Sequence, residues 1–270
     1  MSHLLDVIFP RYCLGQSCVN KQRLLGKNES GLLCPDCRER HLTWISRPSC
    51  LRCGQWYGEG SMTFDQCRNC IDQPHAYTAI RSSLIAEEQT MELMKAWKYA
   101  NQVGIWQEVK LWIKAWQAHI DELTQLHDLQ NPIIIPVPTT KKSYMKRGFN
   151  QAQWLAHELA KQTGYDYSDC LISNNKGKQA RLLRSQRIIN KTKKRATNQR
   201  FDIKKNPINK LLSKKSQGNL KQLQKLQNRD ILLIDDICTT GATAHNCAKV
   251  LKREYKVNRL FVLTLLRQTW

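Results

Sequence analysis

Acidic residues are scarce in this sequence. Across 270 residues, 22 Asp+Glu stand against 43 Lys+Arg, a formal net charge of +21. A compact body with that surplus repels itself, so an anionic partner is expected: phosphates or nucleic acid first, a membrane surface second. Long apolar runs are also missing. The longest are short, such as Leu260 to Leu266, which Thr264 interrupts, whereas a membrane span needs about 20 apolar residues. A signal peptide's basic lead is absent, and Leu4 to Phe9 is too short and contains Asp6. The chain is therefore expected in the cytoplasm, reaching the inner face of the membrane only through partners. Apolar content is not lacking. At 41% hydrophobic, with 8 Trp, 8 Tyr and 5 Phe, the composition excludes global disorder. The length suits one large domain or two smaller ones.

Cysteine is abundant, and a cytoplasmic chain makes that a metal question before a disulfide question. Eight of the 11 cysteines lie in the first 70 residues: Cys13, Cys18, Cys34, Cys37, Cys50, Cys53, Cys67 and Cys70. They form four knuckles, the first with four intervening residues and the others with two. Each knuckle points two thiolates at one point, and two knuckles complete a tetrahedron around Zn2+. In chain order the first four cysteines make one site and the last four a second, with internal gaps of 15 and 13 residues that suit ribbon hairpins. A single site with a degenerate second, an iron–sulfur cluster and redox dithiols are the competing readings. Closed four-thiolate sites are structural, and four thiolates outweigh one Zn2+, so each site is anionic. On this reading, metal removal unfolds residues 1 to about 72 and spares the rest. Cys170, Cys238 and Cys247 lie far away in apolar contexts and read as buried thiols.

From Ala76 to Gln130 the pattern is helical. Ile105, Val109, Trp112 and Trp116 share one helical face, and Leu93 and Trp97 do the same before Gly104. The tryptophans read as core rather than as a base-stacking platform. Asn131 to Thr139 reads as a buried strand ending in a proline-rigid loop. The loop, Thr139 to Asn150, carries Lys141, Lys142, Lys146 and Arg147. Asn150 then caps a helix that Gly164 stops.

The sharpest motif follows the buried strand Ile231 to Ile234. Asp235 and Asp236 come at its end, and Thr239-Thr240-Gly241-Ala242-Thr243 opens a helix. Backbone N–H groups, hydroxyls and the helix dipole hold a phosphate there. The carboxylates suit vicinal hydroxyls or Mg2+. A phosphate at one end and a diol in the middle describe a ribose 5-phosphate, at the carboxyl end of parallel strands where α/β sheets bind ligands. These residues resemble the phosphoribosyl pyrophosphate (PRPP) motif of type I phosphoribosyltransferases.

The chain as a whole resembles the ComF/GntX (ComFC) family. The resemblance rests on Phe9-Pro10, the four knuckles, Lys95-x-x-Lys98-Tyr99, Pro136-Val137-Pro138, Arg147-Gly148-Phe149-Asn150-Gln151, Gln186, Arg195-x-x-Asn198-x-x-Phe201 and the PRPP motif, in that order. It implies an α/β fold, a mainly parallel sheet flanked by helices as in a type I phosphoribosyltransferase core, with a small zinc-ribbon module in front. The expected division is a double zinc ribbon at 1–75, a helical connecting segment at 76–130, and a PRPP-binding core at 131–270 with a basic insertion at about 176–229. The resemblance implies PRPP with Mg2+ at Asp235, Asp236, Thr239, Thr240, Gly241, Ala242, Thr243 and Arg147, together with structural Zn2+. It also implies a role in natural transformation, handling incoming single-stranded DNA beside other competence proteins. The stretch Asp202 to Arg229 is longer than the family's usual connection.

Residues 176–229 contain 18 Lys+Arg and one acid, Asp202. A single pyrophosphate does not need so many cations, whereas a polyanion does. Arg181, Arg184, Arg187, Lys191, Lys193, Lys194 and Arg195 are the candidates for contacting single-stranded DNA, against the plainer reading of a solvated charge run. Three functions compete: a PRPP- and DNA-binding competence factor, an active phosphoribosyltransferase with an unknown acceptor, and an adaptor with a vestigial site. No catalytic residue is assigned.

Overall fold

The computed structural model describes residues 12–15, 18, 24–25, 31–99, 105–173, 201–203 and 225–269. Two short helices, α1 (Pro35–His41) and α2 (Arg68–Asp72), each begin right after a metal-knuckle cysteine. They are followed by β1 (Ala79–Ile85), α3 (Glu88–Tyr99), α4 (Ile105–His127), β2 (Ile133–Pro136), α5 (Lys141–Arg147) and α6 (Gln151–Thr163). Next come β3 (Leu171–Ser173), β4 (Phe201–Ile203), β5 (Ile231–Cys238), α7 (Ala242–Tyr255) and β6 (Leu260–Arg267). The main sheet has the order β1-β6-β5-β2, and every pair in it is parallel. β3 and β4 form a separate antiparallel ribbon.

The sheet is covered on both faces, which is why its central strands open with apolar runs, Ile231–Ile234 and Leu260–Leu263. Alternate residues serve opposite layers. Leu232, Ile234, Phe261 and Leu263 pack with α4 and α6, among them Trp112, Trp116, Leu155 and Leu159. Ile231, Leu233 and Val262 pack with α7 through Cys247, Ala248 and Leu251. Cys170, Cys238 and Cys247 are buried, as read. The expected parallel sheet flanked by helices, behind a cysteine-rich module, is the architecture found.

One element departs from the sequence reading. Residues 79–85 were expected in a helical segment, but they form a fully buried edge strand of the main sheet. The sequence Ala-Ile-Arg-Ser-Ser-Leu-Ile hides this because its centre is polar. Tertiary partners neutralise that centre. Arg81 donates to both Glu122 carboxylate oxygens at 2.8 and 3.0 Å and to the Leu51 carbonyl at 2.7 Å. Ser82 meets Thr264 at 2.7 Å, and Ser83 donates to the Trp112 carbonyl at 3.0 Å. Buried polar groups are tolerated when they are paired in this way.

The outer edge of β1 is closed by the cysteine-rich module. Ile45 N–H donates to Ser83, Ile85 N–H to Thr43 and Ile80 N–H to Arg52, each at 2.9 Å. The first ribbon is also docked onto α4. Glu108, fully buried, accepts from Leu32 N–H at 2.7 Å and Leu33 N–H at 3.2 Å, and pairs with Arg38 at 3.1 Å. Leu33, Cys34, Cys37 and Leu42 belong to the same apolar cluster as Trp112 and Trp116.

This shared packing changes the expected result of metal removal. Stripping zinc with a chelator should lower the melting midpoint of the whole chain in one transition, measured by calorimetry, rather than unfold residues 1–72 alone. Glu108→Ala should cost about 3 kcal/mol in chemical denaturation, because it removes the buried acceptor of the Leu32 and Leu33 amides and of the Trp112 indole N–H.

Candidate functional site

The eight cysteines close into two groups, Cys13/Cys18/Cys34/Cys37 and Cys50/Cys53/Cys67/Cys70, with the sulfurs of each within 4.8 Å of one another. In the second group Cys53–Cys67 is 3.7 Å and Cys50–Cys70 is 3.9 Å. A tetrahedron with Zn–S bonds of about 2.3 Å has S···S edges of about 3.8 Å. Backbone N–H groups point at the sulfurs: Cys34 donates to Cys13 Sγ at 3.2 Å, and Cys67 donates to Cys50 Sγ at 3.2 Å. Such donors favour thiolates over thiols. The two clusters fit two structural zinc sites.

The second site lies at the carboxyl ends of β2 and β5. The stretch read as a basic loop folds into α5, because Thr140 caps it, its Oγ1 accepting from Ser143 N–H at 3.1 Å. Gly148 ends α5 in the left-handed region at φ 80°, which costs glycine least. Asn150 then caps α6 and donates Nδ2 to the Val137 carbonyl at 3.0 Å, tying the segment's end to its start. The inner side of α5 faces a cavity of about 220 Å3, lined by Lys98, Thr139, Thr140, Arg147, Asp235 and Asp236 among others, with Thr243 on its wall.

β5 continues through the acidic pair to Cys238, so both carboxylates ride on the strand itself rather than on the loop beyond it. Asp235 Oδ1 accepts from Asp236 N–H at 2.9 Å. Burial, reinforced by the Asp236 charge, pushes the Asp235 carboxyl up to about 8. Lys98 forms an ion pair with Asp236 Oδ2. The site thus holds two acids, one of them with its carboxyl pushed up by burial, and one compensating ammonium. Lys98 reaches it from the last turn of α3, and the sequence reading left its Lys-x-x-Lys-Tyr group without a role. On the opposite wall, Arg147 donates Nη1 to Gln151 Oε1 at 2.8 Å. Arg147 Nε and Gln151 Nε2 are buried donors without an acceptor among the described residues.

Thr239, Gly241 and Ala242 line a smaller adjoining space of about 30 Å3 that shares Asp235 and Thr243 with the larger one. Thr239 and Thr240 are exposed. Gly241 sits at φ 71°, and a Cβ there would stand 2.8 Å from the buried phenol oxygen of Tyr77, which has no hydrogen-bond partner. Tyr77 supports this turn from beneath, and its position near the first strand gave no sequence signal. Cys238, the residue before the loop, accepts from Arg267 Nη1 at 2.6 Å, and Arg267 Nη2 donates to Gln55 of the second cysteine ribbon at 3.1 Å.

The structure therefore brings Asp235, Asp236, Thr239, Gly241, Ala242, Thr243 and Arg147 to one pair of adjoining cavities, with Thr240 at the exposed rim. Arg181, Arg184, Arg187, Lys191, Lys193, Lys194 and Arg195 lie outside the described residues. Of the basic strip, Lys225 and Arg229 are described, and both pair with Asp166, at 3.1 and 3.8 Å.

The family model of the double zinc ribbon domain matches residues 4–71. Competence protein ComFC of Bacillus subtilis is 29% identical over 135 residues, 50% of this chain and 44% of that protein. The chain thus aligns with less than half of that relative's length. Competence protein F of Haemophilus influenzae is 26% identical over 225 residues, 82% of this chain and 84% of that protein. A solved structure of the allosteric regulatory enzyme of purine biosynthesis matches with 16% identity and a TM-score of 0.28, covering 53% of this chain and 23% of that one. Among the described residues no helix is long and apolar enough to cross a membrane.

The acidic pair makes stability depend on pH. The Asp235 carboxyl titrates at 3.8 in a reference chain and at about 8 in the fold. The native state therefore holds a proton that the unfolded chain releases, and stability falls as pH rises through that window. Asp235→Asn should remove this slope. Its melting temperature should exceed that of the parent by at least about 2 °C at pH 8 and by less at pH 5, read by thermal denaturation across pH.

Proposed function

We propose that this chain, a ComFC-type competence protein with a double zinc ribbon and a phosphoribosyltransferase-like core, binds PRPP with Mg2+ and handles single-stranded DNA during natural transformation, on the cytoplasmic side and without needing turnover. The observation that carries the PRPP reading is the convergence of three recognition elements on the adjoining cavities. The carboxylate pair accepts from the ribose hydroxyls. The Thr239–Thr243 turn at the start of α7 offers amides and hydroxyls to the 5′-phosphate. The Arg147–Gln151 wall supplies buried donors without acceptors, on the side where the pyrophosphate would lie.

Lys98 has a defined part in this reading. Its ammonium balances Asp236 while the pocket is empty, and it competes with any hydroxyl or Mg2+ that approaches the same carboxylate. When ligand arrives, the ammonium is free to turn toward the phosphate oxygens. The ion pair keeps an otherwise uncompensated carboxylate from destabilising the unliganded fold.

The zinc ribbons are the structural part of the proposal. They bury their metals behind thiolates and are anionic, so they are poor candidates for gripping a phosphate backbone. The competence role follows the names of the two relatives. The polyanion partner follows the basic strip at 176–229.

A calorimetric titration with PRPP and Mg2+ tests the pocket. The parent should bind and gain thermal stability, and Asp236→Asn should weaken binding at least tenfold, about 1.4 kcal/mol. No heat and no stabilisation in the parent would leave the vestigial-site reading. Pyrophosphate release with any acceptor would establish an enzyme instead.

A further inference from the structure

A second groove lies on the outer side of α5. It has a volume of about 290 Å3 and runs between α5 and the β3–β4 ribbon, lined by Pro138, Lys141, Tyr144, Gln153, Leu171 and Ile172 among others. It shares Pro138, Thr139, Asn150 and Ser173 with the ribose-phosphate cavity, so α5 forms the wall between the two. Its character is different. The floor is aliphatic, one side is the ring of Tyr144, and the rim carries a lysine. Among the described residues the one acid on its wall, Asp169, accepts from Gln153 Nε2 at 2.7 Å. The volume lies at the bottom of the about 300–1,000 Å3 range that encloses whole small ligands, so it suits one flat ring system on a larger molecule.

The surroundings define that molecule as a polyanion. From Thr139 to Asn150 there are four cations and no acid. Lys146 and Arg147 are held over the ring of Tyr99, at 4.8 and 5.5 Å, on the cavity side. Lys141 and Lys142 are exposed, and so are Tyr144 at 49% and Met145 at 76%. The β3–β4 ribbon lies on the other side of the groove, and in sequence it adjoins the basic strip. The stretches that leave and rejoin it, 174–200 and 204–224, hold 16 of the strip's 18 cations and no acid. A ring-sized apolar groove with an exposed aromatic ring, beside a helix that carries four cations and no acid, matches an unpaired base flanked by phosphates. A duplex keeps its bases stacked inside and has none to offer.

We propose that the groove between α5 and the β3–β4 ribbon seats a base of single-stranded DNA on Tyr144, with Lys141 and Lys142 taking the flanking phosphates. This deepens the DNA part of the reading above and rests on it, but it does not depend on PRPP. It also places a DNA contact on the basic segment Thr139 to Asn150, where the sequence reading assigned only Arg147 a role, toward PRPP. None of Lys141, Lys142 and Tyr144 lines the ribose-phosphate cavity.

The test uses the full-length zinc-loaded protein and a fluorescent deoxythymidine oligomer of about 20 nucleotides, followed by anisotropy across salt concentrations. Lys141→Gln with Lys142→Gln should lower the slope of log affinity against log salt by about 1.4, two single-strand phosphate contacts. Tyr144→Ala should weaken binding about tenfold, and Tyr144→Phe should restore it, since stacking needs the ring and not the hydroxyl. Photocrosslinking with an iodouracil-substituted oligomer should label the peptide containing Tyr144. Unchanged affinity and slope in the lysine and Tyr144→Ala variants, with labelling elsewhere, would overturn the proposal. Equal affinity for a duplex, or a tenfold preference for the ribo-oligomer, would overturn the assigned occupant. PRPP titrations of the same proteins keep the readings apart: a parent that binds PRPP and no oligomer defeats the DNA reading and this proposal with it, a parent that binds oligomer with affinity and slope unchanged in the variants defeats this proposal alone, and oligomer binding without PRPP binding defeats the PRPP reading alone.

Discussion

The open edge of the parallel sheet at β1 is the constraint on which the rest of the structure depends. An edge strand presents a row of unsatisfied amides and carbonyls that must be covered or left to pair with another molecule. Here the cysteine-rich module covers it through the hydrogen bonds at Thr43, Ile45 and Arg52. The module has few apolar positions of its own and is shaped by its two four-thiolate clusters. The two clusters, which fit structural zinc sites, therefore organise the backbone that closes the sheet, and the sheet gives the module its apolar floor. Gly54 shows how close this approach is, since a Cβ there would stand 2.6 Å from the Ile80 carbonyl oxygen.

That closure reaches the ligand pocket. β1 neighbours β6, and β6 neighbours β5, whose end carries Asp235 and Asp236. At the carboxyl ends of these strands, Gln55 of the second ribbon holds Arg267, and Arg267 holds Cys238 just before the Thr239–Thr243 turn. Tyr77, buried beneath Gly241, supports the turn from the same side. The cysteine-rich module is thus the inner support of the Thr239–Thr243 turn, although none of its described residues lines the cavity.

Charge is distributed with the same economy. The carboxylate pair is compensated inside the site by Lys98, and the buried Glu108 by Arg38. Two cations of the basic strip are spent on Asp166. The surplus that faces outward among the described residues is concentrated on α5, where four cations occur without an acid and two of them are anchored on Tyr99. Net charge alone announces an anionic partner. The direction from which that partner is met comes from the helix and the ribbon that frame the outer groove.

Local signals determined much of this protein. Knuckle spacing grouped the eight cysteines, the apolar runs at Ile231 and Leu260 marked central strands, and Asn150 and Gly164 bounded a helix, because short-range geometry alone sets such features. The acidic pair and the hydroxyl-rich turn were legible for the same reason. Tertiary structure decided what depends on distant partners. Arg81, Ser82 and Ser83 form a buried strand only because Glu122, Thr264 and Trp112 satisfy them, and no periodicity records that. Lys98 became a site residue only when α3 packed beside β5. The zinc module became part of the core rather than an appendage because its hydrogen bonds are spent on a strand about 40 residues away in sequence, and a contact of that kind leaves no trace in the local pattern.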